Sequence, residues 1–247
     1  MLHRKIEGYL EGHLKSETDR ILILEGARQV GKSFIIRKVG ERLYKNFIEI
    51  NFVKDDEGPQ LFKEIRTTEE FYFILSSIHG KNLDSYKNTL VFLDEIQAYP
   101  ELLTLLKFLK DEDRFTYIAS GSLLGVTLNK TLSKPGGRII KKKMHPLDFE
   151  EFLWAKGYDS SFINSLYDKM TTVTPLTRIE MDILEKIFRE YMTIGGMPAV
   201  VNQFVSNKNF SGTLKMQQQL LLDYEEDITK YAHGLDKGRI KNVYDHI

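Results

Sequence analysis

Cysteine is absent from this chain of 247 residues, and so are a net charge and a long apolar run. Without cysteine there is neither a disulfide framework nor thiolate chemistry, which fits a reducing compartment. The 35 basic and 35 acidic residues cancel, which argues against a chain that coats nucleic acid through overall positive charge. No apolar run reaches the roughly 18 residues of a membrane span, and residues 1–7 carry charges where a secretory signal is apolar. We therefore expect a cytoplasmic protein that is neither exported nor inserted into a membrane.

A phosphate-binding motif occupies residues 26–33, whose sequence Gly-Ala-Arg-Gln-Val-Gly-Lys-Ser matches the pattern G-x-x-x-x-G-K-[ST]. It lies between the apolar run 21–24 and the helix-like stretch 34–43, as a phosphate loop requires. Its glycines allow backbone N–H groups to turn inward around phosphates. We expect Lys32 to contact the β- and γ-phosphates and the Ser33 hydroxyl to contact Mg²⁺. The predicted nucleotide-binding residues are Gly26, Ala27, Arg28, Gln29, Val30, Gly31, Lys32, Ser33 and Phe34.

A second apolar run, residues 89–93, ends in the carboxylates of Asp94 and Glu95. Such a run is typical of a strand buried on both faces of a parallel sheet, with its carboxyl end at the ligand crevice. Asp94 would then lie beside the phosphate loop and hold the Mg²⁺ shell. Glu95 would polarise the water that attacks the γ-phosphate. ATP and Mg²⁺ are therefore the expected ligands.

Two further strand-like runs cover residues 46–52 and 115–120. The first places one extra strand between the two nucleotide motifs, an arrangement that resembles the additional-strand catalytic-glutamate division of P-loop ATPases. The second ends in Ser120-Gly121-Ser122, where such ATPases carry a sensor-1 polar residue. Ser120 and Ser122 are both candidates for sensing the γ-phosphate, and a serine-rich turn without such a role is the alternative.

Six phrases occur in order along nearly the whole chain: the phosphate loop, Leu93-Asp94-Glu95-Ile96-Gln97, Ser120-Gly121-Ser122, Gly137-Arg138, Pro146-Leu147-Asp148-Phe149-Glu150-Glu151-Phe152 and Gly195-Gly196-Met197-Pro198. Together they resemble a prokaryotic family of AAA+-type P-loop ATPases related to the archaeal ATPase, STAND and Orc-like groups. We therefore expect an α/β P-loop NTPase core, with a parallel sheet of strand order 5-1-4-3-2 and a helical lid. Members of this family are typically longer and have a poorly characterised, suspected nuclease-like C-terminal portion. This chain is accordingly expected to be truncated.

The densest basic stretch lies within residues 132–145 and contains Lys134, Arg138, Lys141, Lys142, Lys143 and His145. Lysines of this kind discourage pairing at a solvated strand edge. Alternatively, Arg138 senses the γ-phosphate, in its own site or as an arginine finger for a neighbouring subunit, and the resemblance implies an arginine here. A third interpretation is a surface that contacts nucleic-acid phosphates. We favour the nucleotide role for Arg138 and the strand edge for the lysines, because no aromatic residues interleave with them to stack on bases.

Helical patterns dominate the remainder of the chain. Asp148 and Glu151 form an N-cap pattern, helices are predicted over 161–169, 177–191 and 216–231, and the residues from Gly195 to Pro198 break them. We predict three domains: a P-loop ATPase core at 1–145, a helical lid at 146–205, and at 206–247 the start of a helical unit compatible with a winged helix. Before the first strand, Arg4 and Ile6 lie in an amphipathic segment and are candidates for adenine contact or, alternatively, for core packing.

The predicted function is that of an ATP-binding protein and Mg²⁺-dependent ATPase, with ATP and ADP as ligands. The sequence is also compatible with assembly into a homo-oligomer. The alternative is a nucleotide-dependent switch that hydrolyses ATP slowly and docks a protein partner or DNA. Both interpretations use the same motifs, so the sequence does not separate them. A small-molecule kinase is disfavoured by the Asp94-Glu95 pair.

Overall fold

The computed structural model describes residues 2–16, 18–53, 61–79, 88–122, 137–231 and 235–245. The chain forms two compact units, one made of residues 5–145 and the other of residues 1–4 and 146–247. Within the described part of the chain, no helix combines the length and the apolar content needed to cross a membrane.

The first unit alternates strands with helices. Its strands are β1 (Ile21–Glu25), β2 (Asn46–Asn51), β3 (Thr89–Asp94), β4 (Thr116–Gly121) and β5 (Ile139–Lys143). Its helices are α1 (Lys5–Lys15), α2 (Lys32–Leu43), α3 (Thr68–His79) and α4 (Pro100–Glu112), with short 3₁₀ turns at Phe62–Glu64 and Ile96–Ala98. Described helices lie in the connections after β1, β2 and β3, and a crossover of this kind lets consecutive strands run parallel.

The five strands pair in parallel in the order β2-β3-β4-β1-β5. Read from the other edge, this is the predicted order 5-1-4-3-2, so the predicted fold is confirmed. Every residue of β3 is buried, as its apolar run 90–93 indicates. Because the strands are parallel, the carboxyl ends of β1, β3 and β4 meet at one edge of the sheet.

Helices cover both faces of this sheet. On one face, Ile23 of β1 and Val91 of β3 belong to a core shared with Phe71 of α3 and Leu106 of α4. On the other face, α2 approaches so closely that a Cβ at Gly40 would lie 2.5 Å from the ring of Phe47. Successive strand residues point to opposite faces, which is why a strand buried on both sides needs an unbroken apolar sequence.

The described residues of the second unit are helical apart from connections. The helices are α5 (Phe149–Ala155), α6 (Ser160–Thr171), α7 (Arg178–Ile194), α8 (Pro198–Asn207), α9 (Thr213–Tyr231) and α10 (Leu235–Asp245). Neither α8 nor α10 was predicted from the sequence. Helix α8 begins with a proline in its first turn, where a missing N–H does no harm. The predicted division of this region into a lid and a further unit stays a prediction.

Two distant phrases of the sequence meet in the second unit. The Leu147 N–H donates to the carbonyl of Gly196 over 2.7 Å, and the Tyr191 hydroxyl donates to the carbonyl of Leu147 over 2.8 Å. A Cβ at Gly196 would lie only 2.1 Å from the Leu147 oxygen. The glycine at this position is therefore required by backbone packing.

The beginning of α5 is stabilised by charge and capping. Asp148 and Glu151 form the predicted capping box, with the Glu151 N–H donating to Asp148 Oδ1 over 2.8 Å. Glu151 also pairs with Arg4 over 3.1 Å, and both side chains are almost fully buried. This ion pair and the burial of Ile6 support the packing interpretation of the N-terminal segment.

Candidate nucleotide-binding site

The phosphate loop connects the carboxyl end of β1 to the first turn of α2. Gln29 and Gly31 have positive φ angles of 65° and 97°, so the backbone reverses direction sharply within the loop. Left-handed residues interspersed among right-handed ones can turn successive N–H groups toward a common point, where an anion can be bound. Ala27, Arg28 and Gln29 are exposed on the loop, and Phe34 is exposed on α2, whereas Val30 is buried beneath it.

Gly26 is constrained by the residue that follows β5. The Met144 N–H donates to the carbonyl of Glu25 over 2.7 Å, which brings the end of β5 against the start of the loop. A Cβ at Gly26 would lie 2.3 Å from the Met144 carbonyl oxygen, which is too close for any side chain. The first glycine of the motif is therefore needed to seat the loop on the sheet.

The ammonium group of Lys32 lies inside the loop. Its Nζ donates to the carbonyls of Gly26 and Ala27 over 3.0 and 2.9 Å, and the residue is buried. Burial lowers the pKa of this ammonium, and the nearby carboxylates of Glu95 and Asp94 oppose the shift. The loop, α2 and the end of β3 thus place one positive and two negative groups close together.

Asp94 ends β3 and connects the two nucleotide motifs. Its Oδ1 accepts hydrogen bonds from the Ser33 hydroxyl over 3.0 Å and from the Ser120 hydroxyl, while its Oδ2 accepts one from Asn51 Nδ2 over 2.9 Å. Burial raises the pKa of the Asp94 carboxyl, and the hydrogen bonds from Ser120 and Ser33 oppose the shift. A buried carboxylate oriented by three donors is well suited to bind a cation.

Glu95 follows with a left-handed backbone, at φ 57° and ψ 42°. Its Oε2 accepts hydrogen bonds from Gln97 Nε2 and, over 3.1 Å, from the Ser122 hydroxyl. The structure therefore brings Lys32, Ser33, Asp94, Glu95 and both candidate serines to the same edge of the sheet. Ser120 contacts the first carboxylate, and Ser122 contacts the second.

Arg138 precedes β5 and lies at the amino ends of the strands, opposite the carboxyl ends where the phosphate loop lies. The interpretation that it serves the γ-phosphate of its own site is therefore wrong. The Arg138 carbonyl accepts from the Ile21 N–H at the start of β1, over 2.8 Å, whereas the phosphate loop follows the end of β1. The strand spans roughly 13 Å between these ends, at about 3.3 Å per residue. The guanidinium pairs with Asp19 and Asp111, each over 2.7 Å. An arginine-finger role toward a neighbouring subunit stays a prediction.

Lys141, Lys142 and Lys143 of this stretch lie on β5, which is an edge strand of the sheet, and His145 follows the strand. Lys141 pairs with Glu25 over 2.8 Å, and the Lys142 ammonium lies over the Tyr9 ring, 4.6 Å from its centroid. Lys134 lies outside the described residues. The positions of Lys141 and Lys142 favour the strand-edge interpretation, in which lysines protect an open edge.

Sequence reasoning assigned no role to Asn51 or Gln97, which contact the two carboxylates. Asn51 ends β2 and pairs in register with Asp94 on β3. Since the predicted strand order already placed these strands side by side, the polar residue next to the end of the 46–52 run was an available signal. Gln97 gave no such signal, because a 3₁₀ turn brings it back toward Glu95.

Comparison with known families identifies the class of this protein. A family model described as an AAA domain matches residues 18–153, more than half of the chain. The chain therefore belongs to this family of AAA+-type P-loop ATPases. A second model, described as a domain of unknown function, matches residues 185–247. The nuclease-like C-terminal portion that the sequence resemblance implies stays a prediction.

Two curated relatives are uncharacterised proteins. One, from Haemophilus influenzae, is 23% identical over 202 residues, which cover 79% of this chain and 44% of the relative. The other, from Methanocaldococcus jannaschii, is 24% identical over 231 residues, which cover 93% of this chain and 45% of the relative. The chain thus spans less than half the length of both.

A solved structure with the same fold is a Walker-type ATPase of Pyrococcus abyssi. It aligns with a TM-score of 0.55 and 17% identity, covering 94% of this chain and 77% of that one. At this identity the likeness shows the fold, while function depends on the residues of the site.

Proposed function

We propose that this chain binds ATP with Mg²⁺ and hydrolyses the terminal phosphate. The observation that carries the proposal is the 3.0 Å hydrogen bond between the Ser33 hydroxyl and Asp94 Oδ1. It joins the last residue of the phosphate loop to the end of β3, so that the two motifs form one site. Membership of the AAA+-type ATPases supports nucleotide binding at this site.

In this proposal the loop holds the phosphates. Backbone N–H groups around Gln29 and Gly31 bind phosphate oxygens, because the positive φ angles turn them toward the loop interior. Lys32 adds a positive charge, and its contacts with two loop carbonyls show that the ammonium reaches this interior. A charged donor strengthens a set of otherwise neutral amide hydrogen bonds.

The donors present fit Mg²⁺. Ser33 and Asp94 offer hard oxygen atoms, which Mg²⁺ prefers. Burial disfavours the charged form of Asp94, so a nearby cation would stabilise the carboxylate. The described residues contain no group of three or more His, Cys, Asp or Glu that could hold a metal ion alone. This agrees with an ion bound through one or two protein oxygens together with phosphates and water. When bound, it would neutralise charge on the β- and γ-phosphates.

We assign Glu95 as the general base that accepts a proton from the attacking water. It follows Asp94 directly, and its carboxylate is close enough to the Lys32 ammonium to oppose the lowering of the Lys32 pKa. The two serines have different proposed roles. Ser120 is fully buried against Asp94 and is suited to hold that carboxylate, which leaves Ser122 as the candidate γ-phosphate sensor.

The experiment is phosphate release by the purified chain, with Mg²⁺ and with EDTA, for the wild type and Glu95→Gln. We expect Mg²⁺-dependent hydrolysis by the wild type and a loss of about 100-fold or more in Glu95→Gln, the size typical of a general base. Affinity for ATP should remain within about threefold, because the phosphate contacts are unchanged. Glu185→Gln in the second unit, which removes an exposed carboxylate paired with Arg189, is the matched control. A wild type without turnover, or a Glu95→Gln variant with full turnover, would disprove the assignment.

A protein partner, DNA and assembly into a homo-oligomer remain part of the proposal rather than of the findings. We propose that Lys141 and Lys142 protect the edge of β5, since Glu25 and Tyr9 already engage them. DNA binding should then be unchanged when both lysines are replaced by glutamine. A flatter dependence of DNA affinity on salt in that variant would instead indicate phosphate contacts.

A further inference from the structure

The carboxylate of Glu95 is attached to the sheet edge through a triangle of polar groups. Gln97 Nε2 donates to Glu95 Oε2 and to the Ser122 hydroxyl, the latter over 3.2 Å. The Ser122 hydroxyl itself donates to the same Oε2 over 3.1 Å. One carboxylate oxygen therefore has two donors, and the other oxygen takes no part in these bonds.

The backbone is shaped to make this triangle. Glu95 occupies the left-handed region, which non-glycine residues rarely adopt and which often marks functional sites. The 3₁₀ turn that follows is closed by the Ala98 N–H donating to the Glu95 carbonyl over 3.0 Å. As a result Gln97, only two residues along the chain, reaches back to the carboxylate.

The amide of Gln97 is held in one orientation. Its Nε2 faces two oxygen atoms, so a flipped amide would place Oε1 against the Glu95 carboxylate. Its Oε1 is buried and accepts no hydrogen bond from the described residues. A buried polar atom without a partner is unfavourable, and such groups often have a catalytic explanation. The arrangement thus favours the contact with Glu95 over full satisfaction of the amide.

We propose that Gln97 is the positioning residue for Glu95, and that Ser122 shares this role. The proposal rests on the proposed function, in which Glu95 is the general base. By holding Oε2, Gln97 keeps the second oxygen oriented to accept the proton of the attacking water. Through its hydrogen bond to Oε2, Ser122 also connects the Glu95 carboxylate to the end of β4, where the γ-phosphate would be sensed.

The test is Gln97→Met, which keeps the length of the side chain and removes both N–H donors. We expect kcat to fall about 10- to 100-fold, the effect of a small misplacement of a reacting group. KM and ATP affinity should stay within about threefold, because Gln97 makes no proposed contact with the nucleotide. Gln217→Met is the matched control, since Gln217 Nε2 also donates twice, to the carbonyls of Thr193 and Ile194 in the other unit. It should leave kcat unchanged.

A double-mutant cycle separates positioning of Glu95 from a structural effect. In single-turnover measurements, Gln97→Met should have no further effect in a Glu95→Gln background, because the group it orients has already lost its basicity. An equal loss in both backgrounds, an unchanged kcat in Gln97→Met alone, or a loss confined to ATP affinity overturns the proposal. A wild type without turnover overturns the proposed function as well, which distinguishes the two failures.

A second variant guards against misfolding of Gln97→Met. Gln97→Glu has nearly the same shape, and its side chain donates a hydrogen bond only when protonated. Its kcat relative to wild type should therefore recover as the pH falls and decline as the pH rises. A ratio that does not change with pH contradicts the positioning role.

Discussion

Asn51 Nδ2 donates a hydrogen bond to Asp94 Oδ2 over 2.9 Å, between two buried side chains at the ends of neighbouring strands. A second contact fixes the orientation of the Asn51 side-chain amide independently of Asp94, because Asn51 Oδ1 accepts a hydrogen bond from the Val53 N–H over 3.0 Å. Asn51 therefore presents a donor, and not an acceptor, to the proposed metal-binding carboxylate. Side chains that orient a metal ligand in this way affect affinity without touching the metal.

Replacing Asn51 tests this relationship. Asn51→Leu removes the donor at similar volume, and we expect about 10-fold or greater weakening of Mg²⁺-dependent ATP binding, as for other groups that orient metal ligands. Binding measured in EDTA should change little. Fluorescence titration of a labelled nucleotide at varied Mg²⁺ gives both values. Asn207→Leu, an exposed position in the second unit, is the control, and an unaltered Mg²⁺ requirement in Asn51→Leu would contradict the prediction.

The raised pKa of Asp94 predicts a pH dependence of metal binding. Burial favours the neutral carboxyl, so protons compete with Mg²⁺ at a pH above the ordinary aspartate value of about 3.9. As the pH falls through the raised pKa, Mg²⁺-dependent ATP affinity should decline, and the decline should begin at a higher pH in Asn51→Leu. Calorimetric titrations across the acid range would measure this. A decline that begins at the same pH in wild type and variant would show that Asn51 does not influence the titration.

Lys32→Ala should weaken ATP binding by about 10- to 100-fold, because a hydrogen bond from a charged group contributes about 1.5–3 kcal/mol. The same helix supplies the control. Lys38 also lies on α2, but its ammonium pairs with Glu7 of α1 over 2.7 Å. Lys38→Ala should therefore reduce stability slightly and leave ATP affinity intact. Calorimetry on both variants decides the matter, and equal affinities would remove Lys32 from the site.

Arg138→Ala is expected to affect stability rather than chemistry in a dilute solution. The guanidinium joins Asp19 to Asp111, and the loss of this partly exposed pair should reduce the free energy of unfolding by about 1 kcal/mol. Turnover per chain should match the wild type at low protein concentration. Urea unfolding and phosphate release provide the two measurements. Turnover that rises with wild-type concentration but not with Arg138→Ala concentration would support the arginine-finger alternative.

Two glycine substitutions should have opposite effects on stability. Gly26→Ala would place Cβ 2.3 Å from the Met144 oxygen, and we expect a loss of about 1–3 kcal/mol together with weaker ATP binding. Gly12 lies within α1, and no heavy atom of the described residues lies within 4 Å of a Cβ built there. Gly12→Ala should therefore stabilise the chain by about 0.5–1 kcal/mol. Urea unfolding compares them, and a neutral Gly26→Ala would show that β5 and the loop can separate.

The phosphate loop and the end of β3 could be predicted because their chemistry is local. A glycine-rich turn between strand and helix has few other uses, and an apolar run that ends in two carboxylates indicates a buried parallel strand. The strand order was expected from the resemblance to P-loop ATPases that these motifs and the extra strand at 46–52 carry, and the structure confirms it. Arg138 was misplaced because its position in the chain does not reveal which end of β5 it occupies. The pairing of Ile139 with Ile21 placed it at the amino-terminal edge.

The sequence by itself therefore determined the class of protein and, through the resemblance of its motifs, the sheet order, and it supplied the residues whose proposed roles depend on their own chemistry: Lys32, Ser33, Asp94 and Glu95. Only the tertiary structure decided which side chains orient them. Asn51 reaches Asp94 across 43 positions of the chain, and the Ser122 hydroxyl reaches Glu95 across 27. Contacts of this kind depend on strand register and on the path of turns, and a local pattern of residues does not encode these distances.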